Sequence, residues 1–367
     1  MFLEKLYLNN FKNYSESEFN FTEKINCFVG NNGAGKTNLL DALYYISFCK
    51  SYFNTVDSQN ILHDENYFIV QGTYRKNGGS SDNIQCIVRK NHKKQFKLNK
   101  KEYDRLADHI GYFPLVIVTP ADSDLIYNGS EERRKFLDGI ISQFDAAYLN
   151  DILNYNKALF QRNTLLKRFA ENNYFDESSI EVWDDQIINL GQRIFKKRSE
   201  FIDSFIPYFQ KYFEFVTNQK EQLTINYESH LKTADYKDLL KESIKKDRIL
   251  KYTTAGIHKD DLSFLINGYP IKKFGSQGQQ KSFIVSVKLA QFDYIKNIKG
   301  FKPVLLLDDI FDKLDINRIQ QLMKLVADNN FGQIFITDTS GERIKRIFNE
   351  ISSNYSVFEI NNGSISQ

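Results

Sequence analysis

Eight residues beginning at position 30, Gly30-Asn31-Asn32-Gly33-Ala34-Gly35-Lys36-Thr37, leave this chain few choices of fold. They fit G-x-x-x-x-G-K-[S/T], the pattern of a phosphate-binding loop. Such a loop works only between a buried strand and a helix, and both are legible here. Ile25-Asn26-Cys27-Phe28-Val29 is an apolar run of strand length, and the stretch from Asn38 to Ile46 carries apolar residues at helical spacing. The glycines allow the backbone to turn its N–H groups onto phosphate oxygens, and the helix N-terminus adds partial positive charge. Gly30, Asn31, Asn32, Gly33, Ala34, Gly35 and Asn38 are therefore assigned to the nucleotide. Lys36 is expected to reach the β- and γ-phosphates, and the Thr37 hydroxyl to ligate Mg²⁺. The ligand implied is a nucleoside triphosphate, ATP with Mg²⁺.

The chain has 367 residues, enough for two domains or one large one. Its net charge is only +3, so a nucleic-acid surface would have to be a local patch. The three cysteines, Cys27, Cys49 and Cys86, lack metal-ligand spacing and cannot all pair, which fits a reducing cytosol. The opening Met1-Phe2-Leu3-Glu4-Lys5 does not read as a signal peptide, and no apolar run approaches a membrane span. A soluble, cytoplasmic protein with no membrane partner is expected.

Residues 2–9 alternate as an opening strand, and Phe11-Lys12-Asn13-Tyr14 reads as a turn from which Lys12 could lean on the nucleotide phosphates. Strands follow at 68–74, 84–89, 95–98 and 115–118. Lysines 90, 93, 94, 97, 100 and 101 cluster around one of the turns, and the part around Lys93 and Lys94 is a candidate for a DNA-binding patch. From 122 to 247 the pattern becomes long, charged and helical, an inserted helical domain without a sustained heptad. Residues 1–121 and 248–367 would form the nucleotide-binding head. Strand signals return at 262–268, a helix is expected from Lys281 to about Ile295, and a last parallel strand ends at Asp338.

The apolar strand Pro303-Val304-Leu305-Leu306-Leu307 closes on Asp308-Asp309. The first carboxylate is placed to hold Mg²⁺, and the second to orient or deprotonate the attacking water, so Asp309 and Lys36 are the candidate catalytic residues. Ser276-Gln277-Gly278-Gln279 lies 308 − 276 = 32 residues earlier. A serine alone at such a helix start would read as an ordinary N-cap. In this order and spacing it resembles the signature motif of ABC-type ATPases, and Phe311-Asp312-Lys313-Leu314-Asp315 resembles their D-loop. The resemblance implies that Ser276, Gly278 and Gln279 complete the ATP site of a second subunit. It also implies an α/β fold, an ABC-type ATPase head with a mixed sheet and flanking helices, interrupted by the helical insert.

The distance from Thr37 to Ser276, 276 − 37 = 239 residues, exceeds that of transporter ATPase subunits and lacks the long coiled coil of SMC heads. Along nearly its whole length the chain resembles the RecF family of bacterial recombination mediators. The resemblance rests on Leu8 to Tyr14, the loop through Leu40, Thr119-Pro120 to Ile126, and Gly129-Ser130-Glu131-Glu132-Arg133-Arg134-Lys135-Phe136-Leu137-Asp138. It also rests on Gln161-Arg162-Asn163, Trp183-Asp184, and Gly256-Ile257-His258-Lys259-Asp260-Asp261-Leu262. Lysine stands at 12 and 259 where family members more often carry arginine, and Ile257 replaces a proline. Asp309 and Asp338 stand where transporter ATPases have Glu and His, and the shorter carboxylate suggests slow hydrolysis. The resemblance implies a DNA-binding ATPase that dimerises with ATP and binds duplex DNA near single-strand junctions. Its partners would be RecR, with RecO, in the loading of RecA. The alternatives from other classes are a transporter ATPase subunit and an OLD-type nuclease head. Only 29 residues follow Asp338 (367 − 338), too few for the nuclease domain expected of the latter.

Overall fold

A computed structural model describes all residues except 77, 218–221, 311–318, 320, 322–324, 326–330, 351–354 and 367. The chain divides into two compact units, residues 1–122 with 281–367, and residues 123–280.

The first unit holds two six-stranded sheets. The strands of one are β1 (Phe2–Phe11), β2 (Tyr14–Asn20), β4 (Tyr67–Arg75), β5 (Ser81–Arg89), β6 (Gln95–Leu98) and β7 (Lys101–Glu102). They follow the order β2-β1-β4-β5-β6-β7 and are antiparallel throughout. The alternation along β4, with Phe68, Val70, Gly72 and Tyr74 inward, is the pattern of a sheet with one buried face. The other sheet comprises β3 (Ile25–Val29), β8 (Leu115–Val118), β12 (Val304–Leu307), β13 (Ile334–Asp338), β14 (Tyr355–Asn361) and β15 (Ser364–Ser366). Its order is β15-β14-β3-β13-β12-β8, and all pairs are parallel except β14–β15. β3, β8, β12 and β13 are buried at every position, which explains why they are apolar apart from Asn26 in β3 and Thr337-Asp338 at the end of β13. Helix α1 (Lys36–Phe48) is buried nearly all round, and its Leu39, Leu40, Leu43 and Ile46 share one core with Leu6, Leu8 and Phe68 of the antiparallel sheet. Gln333 ties strand to strand: its amide donates to Leu3 O and Thr22 O, each at 2.8 Å, and its oxygen accepts Leu3 N.

The second unit contains α2 (Asp124–Tyr127), α3 (Ser130–Ile141), α4 (Ala146–Glu171), α5 (Glu177–Thr217), α6 (Tyr236–Leu250) and α7 (Ile271–Phe274). Beside them lies a small antiparallel sheet of β9 (Leu223–Glu228), β10 (Asp261–Ile266) and β11 (Tyr269–Pro270), in the order β11-β10-β9. A buried ionic lattice fills this unit. Arg198 of α5 donates to both Asp138 oxygens and to Asp260 Oδ2 at 2.7 Å, and Arg162 of α4 reaches Asp247 at 2.7 Å and Asp184. Arg133 grips Asp261 through two nitrogens.

Three boundaries differ from those expected of the sequence. The helical pattern places the end of the insert at 247, but β9, unforeseen inside it, pairs with β10 and carries 248–280 into the second unit. Helix α8 (Gln277–Lys299) begins four residues before the expected Lys281, directly after Ser276. β13 is not the last parallel strand, since β14 lies beyond it against β3. The D-loop candidate, residues 311–315, lies outside the described residues.

Candidate nucleotide site

The phosphate loop leaves β3 and enters α1 as the motif requires. Lys36 lies back over its own loop, donating to Gly30 O at 2.8 Å and Asn31 O at 3.0 Å. α1 has no side-chain N-cap and no acidic residue in its first turn, whereas α4 and α6 are capped by Asp145 and Asp235. A helix start without its own carboxylate leaves its positive end for an external anion.

The loop is held from outside by residues that the G-x-x-x-x-G-K-[S/T] pattern does not include. Asn13 donates from Nδ2 to Ala34 O at 3.1 Å and accepts from Asn38 Nδ2 at 2.7 Å, so Asn38 serves the loop through Asn13. Tyr14 donates its hydroxyl to Gly35 O at 3.0 Å, and Gly363 N, in the turn between β14 and β15, donates to Ala34 O at 2.9 Å. Two glycines are obligatory for this clamp. Gly35 has φ 114°, and a Cβ there would lie 2.5 Å from Asn13 Nδ2. Gly363 has φ 78°, and a Cβ there would lie 2.0 Å from Asn13 O.

β12 and β13 are parallel neighbours in a register that sets Leu307 against Ile336, which brings Asp308 beside Thr337. Thr37 donates its hydroxyl to Asp308, with its Oγ1 at 3.0 and 3.2 Å from the two carboxylate oxygens. Thr337 donates to Asp308 Oδ1 at 2.8 Å and accepts Asp309 N at 2.9 Å. Burial pushes the Asp308 carboxyl upward, opposed by its bonds to Thr337 and Thr37, while the neighbouring Asp309 charge adds to the rise. Asp309 has φ 45°, and its Oδ1 is buried without a hydrogen-bond partner among the described residues. A hydroxyl and a carboxylate converging from 271 residues apart in sequence form an all-oxygen donor set of the kind Mg²⁺ takes.

Other expected residues are engaged elsewhere. Lys12 pairs with the fully buried Asp41 of α1 at 2.6 Å, and Asp41 also takes Ser51 Oγ and Tyr52 N. Reaching a phosphate would require Lys12 to leave that carboxylate. Asp338, where a transporter ATPase has histidine, is locked by two Arg343 nitrogens and by Ser340 N. Ser276 and Gln279 form a capping box at the start of α8: Gln279 N donates to Ser276 Oγ at 3.2 Å and Ser276 N to Gln279 Oε1 at 2.7 Å. They and Gly278 belong to the second unit, and Lys36, Thr37, Asp308 and Asp309 to the first. Of the lysine cluster, Lys94 is withdrawn: its ammonium contacts Asp57 at 2.7 Å, Cys49 O at 2.5 Å and Tyr45 Oη at 3.1 Å. That removes Lys94 from the surface of the turn, while Lys90, Lys93, Lys100 and Lys101 stay exposed there.

The profile of the RecF/RecN/SMC N-terminal domain family matches residues 2–366. The chain is 50% identical to a DNA replication and repair protein RecF of Bacteroides fragilis (strain YCH46), over 100% of this chain and 98% of that one. It is likewise 50% identical to the RecF of Flavobacterium johnsoniae, over 98% of this chain and 100% of that one. This chain belongs to the RecF family. Among solved structures, the recombination mediator protein RecF-ATP in the RecFOR pathway superposes with a TM-score of 0.89 at 31% identity, over 100% of this chain and 97% of that one. A Pyrococcus furiosus Smc head domain with an extended coiled coil, at TM-score 0.57 and 16% identity over 100% of this chain and 95% of that one, shares the fold. The fold is thus that of an ABC-type ATPase head. Of the stretches that marked the RecF resemblance, Arg133, Arg134, Asp138, Arg162, Asp184, His258, Asp260 and Asp261 belong to the second unit's hydrogen-bond and ion-pair lattice, while Lys259 is exposed.

Proposed function

We propose that the chain is an ATP-dependent DNA-binding protein of recombinational repair and replication. In this reading it dimerises on ATP, binds duplex DNA near single-strand gaps and helps RecR and RecO load RecA. The observation that carries the ATP half is the convergence of Thr37 and Asp308, with Asp309 next in the chain, at the start of an uncapped helix whose loop carries Lys36. The names of the relatives and the RecF-ATP likeness support the repair half.

In this reading the loop N–H groups and the α1 N-terminus cradle the phosphates, and Lys36 leaves its own carbonyls for the β- and γ-oxygens. Thr37 and Asp308 would hold Mg²⁺, which supplies charge neutralisation at the phosphates. The Asp309 carboxylate accepts a proton from, or orients, the attacking water. Aspartate reaches less far than glutamate, so turnover is slow. Ser276 of a second copy completes the site.

The deciding measurement is ATP hydrolysis and DNA affinity with duplex, gapped and single-stranded DNA over a salt series. Turnover stimulated by DNA, and affinity that rises with ATP and falls steeply with salt, are expected, because phosphate contacts release counterions. DNA affinity indifferent to both nucleotide and salt would overturn the repair reading.

A further inference from the structure

We infer that Thr337 is a positioning residue for ATP hydrolysis, one hydroxyl that sets the metal-binding and the water-handling carboxylates together. The inference rests on the nucleotide site proposed above and assigns a role to a residue outside the loop and the aspartate pair. Thr337 is fully buried near the tip of β13. A threonine hydroxyl has one proton and two lone pairs, and both kinds of bond are used here. The proton goes to Asp308 Oδ1 at 2.8 Å, and a lone pair takes the Asp309 N–H at 2.9 Å.

The second bond bears on backbone shape. Asp309 follows the end of β12 in the left-handed region, φ 45°, where an ordinary residue does not stay without support. Its N–H is tied to Thr337, and the turn this fixes carries the carboxylate whose Oδ1 has no partner among the described residues. The first bond constrains the carboxylate that faces Thr37. The neighbouring residue, Asp338, offers its own carbonyl to Gly30 N at 3.3 Å. The tip of β13 therefore touches the start of the phosphate loop with its backbone and the aspartate pair with its side chain. Valine has the same shape as threonine and suits a strand equally well, so the hydroxyl can be removed without remaking the core.

The test compares the parent chain with Thr337→Val, Thr337→Ser and Lys36→Ala. It measures steady-state hydrolysis, equilibrium binding of a fluorescent ATP analogue with Mg²⁺ and with EDTA, and thermal melting. Thr337→Val is expected to lower kcat roughly 10- to 100-fold, the usual size of losing a group that orients metal ligands, with KM for ATP changed little. In the same variant the gain in analogue affinity that Mg²⁺ gives should shrink, while affinity in EDTA stays at the parent value. Thr337→Ser should recover both quantities. A Thr337→Val protein with parental kcat and parental Mg²⁺ dependence overturns the inference. So does a folded Thr337→Ser protein as impaired as Thr337→Val, which would trace the effect to the methyl group. Should Thr337→Val not fold, Thr337→Ala takes its place: a folded but impaired Thr337→Ala beside a parental Thr337→Ser upholds the role of the hydroxyl, and an unimpaired Thr337→Ala overturns it. Failure of the site itself looks different: Lys36→Ala would then bind the analogue as well as the parent does.

Discussion

Lys36 is the one ammonium in the loop, and in this structure it satisfies itself on two loop carbonyls. Removing it costs the fold two side-chain hydrogen bonds, on the order of 1 kcal/mol each, but removes the cation that a triphosphate needs. Lys36→Ala is therefore expected to melt within a few degrees of the parent while losing ATP binding, as isothermal titration would show. Asp309→Asn keeps the shape of its side chain and leaves Asp308 intact. It should bind ATP normally and turn it over at least ~100-fold more slowly, the loss expected for a general base. Single-turnover hydrolysis at the parental rate would move the water-handling role to another residue. Lys36, Thr37, Asp308 and Asp309 are legible in the sequence because each is tied to a local pattern. The roles of Asn13 and Thr337 are not, because their partners lie 21 and 29 residues away, although Asn13 falls in a stretch that carries the family resemblance.

Among the elements, the arginines of α4 and α5 decide whether the second unit holds together. Arg198 is buried and serves Asp138, Asp260 and the Ile257 carbonyl at once. Arg198→Met would leave two carboxylates without their cation. Breaking one side of a buried pair in this way should lower stability by about 3–5 kcal/mol, measurable as a shift in the urea midpoint at constant slope. Two buried histidines make a separate prediction. His109 bonds Ile46 O at 2.7 Å and His258 bonds Tyr155 and Thr253 O, and burial lowers each to about 4 from an ordinary 6.5. Depressed pKa values mean that the folded chain keeps these rings neutral while the unfolded chain takes up protons below 6.5. Their stabilisation is complete above that pH and is lost as pH falls from 6.5 toward 4, by roughly 3 kcal/mol per ring over the window. Urea unfolding at pH 7.5 and 5.0 should show the part of this loss that falls above pH 5.0, about 2 kcal/mol per ring, and His109→Gln should remove one ring's share. An equal pH dependence in parent and variant would contradict the neutral ring.

For the whole molecule, the loop and aspartate pair belong to one unit and the Ser276 capping box to the other. If the site is completed by a second copy of the chain, specific activity should fall on dilution into the range where light scattering detects monomers. Mixing Lys36→Ala with Ser276→Arg should then restore part of the hydrolysis, since one of the two mixed sites pairs an intact loop with an intact serine. Undiminished turnover by a protein that stays monomeric with ATP would sink the shared site. Among the described residues no helix is long and apolar enough to cross a membrane.

The nucleotide loop, the strands flanking it and the long helices of the insert were settled by the sequence itself. Each depends on neighbours in the chain: glycines where the backbone must curl, apolar runs where a parallel strand is buried on both faces, and a 3.6-residue period where a helix has one dry side. The tertiary structure alone decided what those segments meet. β9 lies between two long helices, and the alternation of Leu223, Ile225 and Tyr227 with Thr224, Asn226 and Glu228 is a local strand signal, but its pairing with β10, which moved the unit boundary from 247 to 280, is not written in the segment. Lys94 reads as a surface cation until its ammonium is found among Asp57, Tyr45 and Cys49, and Lys12 reads the same way until it is found on Asp41. The Thr37–Asp308–Thr337 cluster joins residues up to 300 apart (337 − 37) through a strand register that no local pattern encodes. Periodicity and turn chemistry are properties of a segment, whereas the partner of a buried charge or hydroxyl is a property of the packed chain.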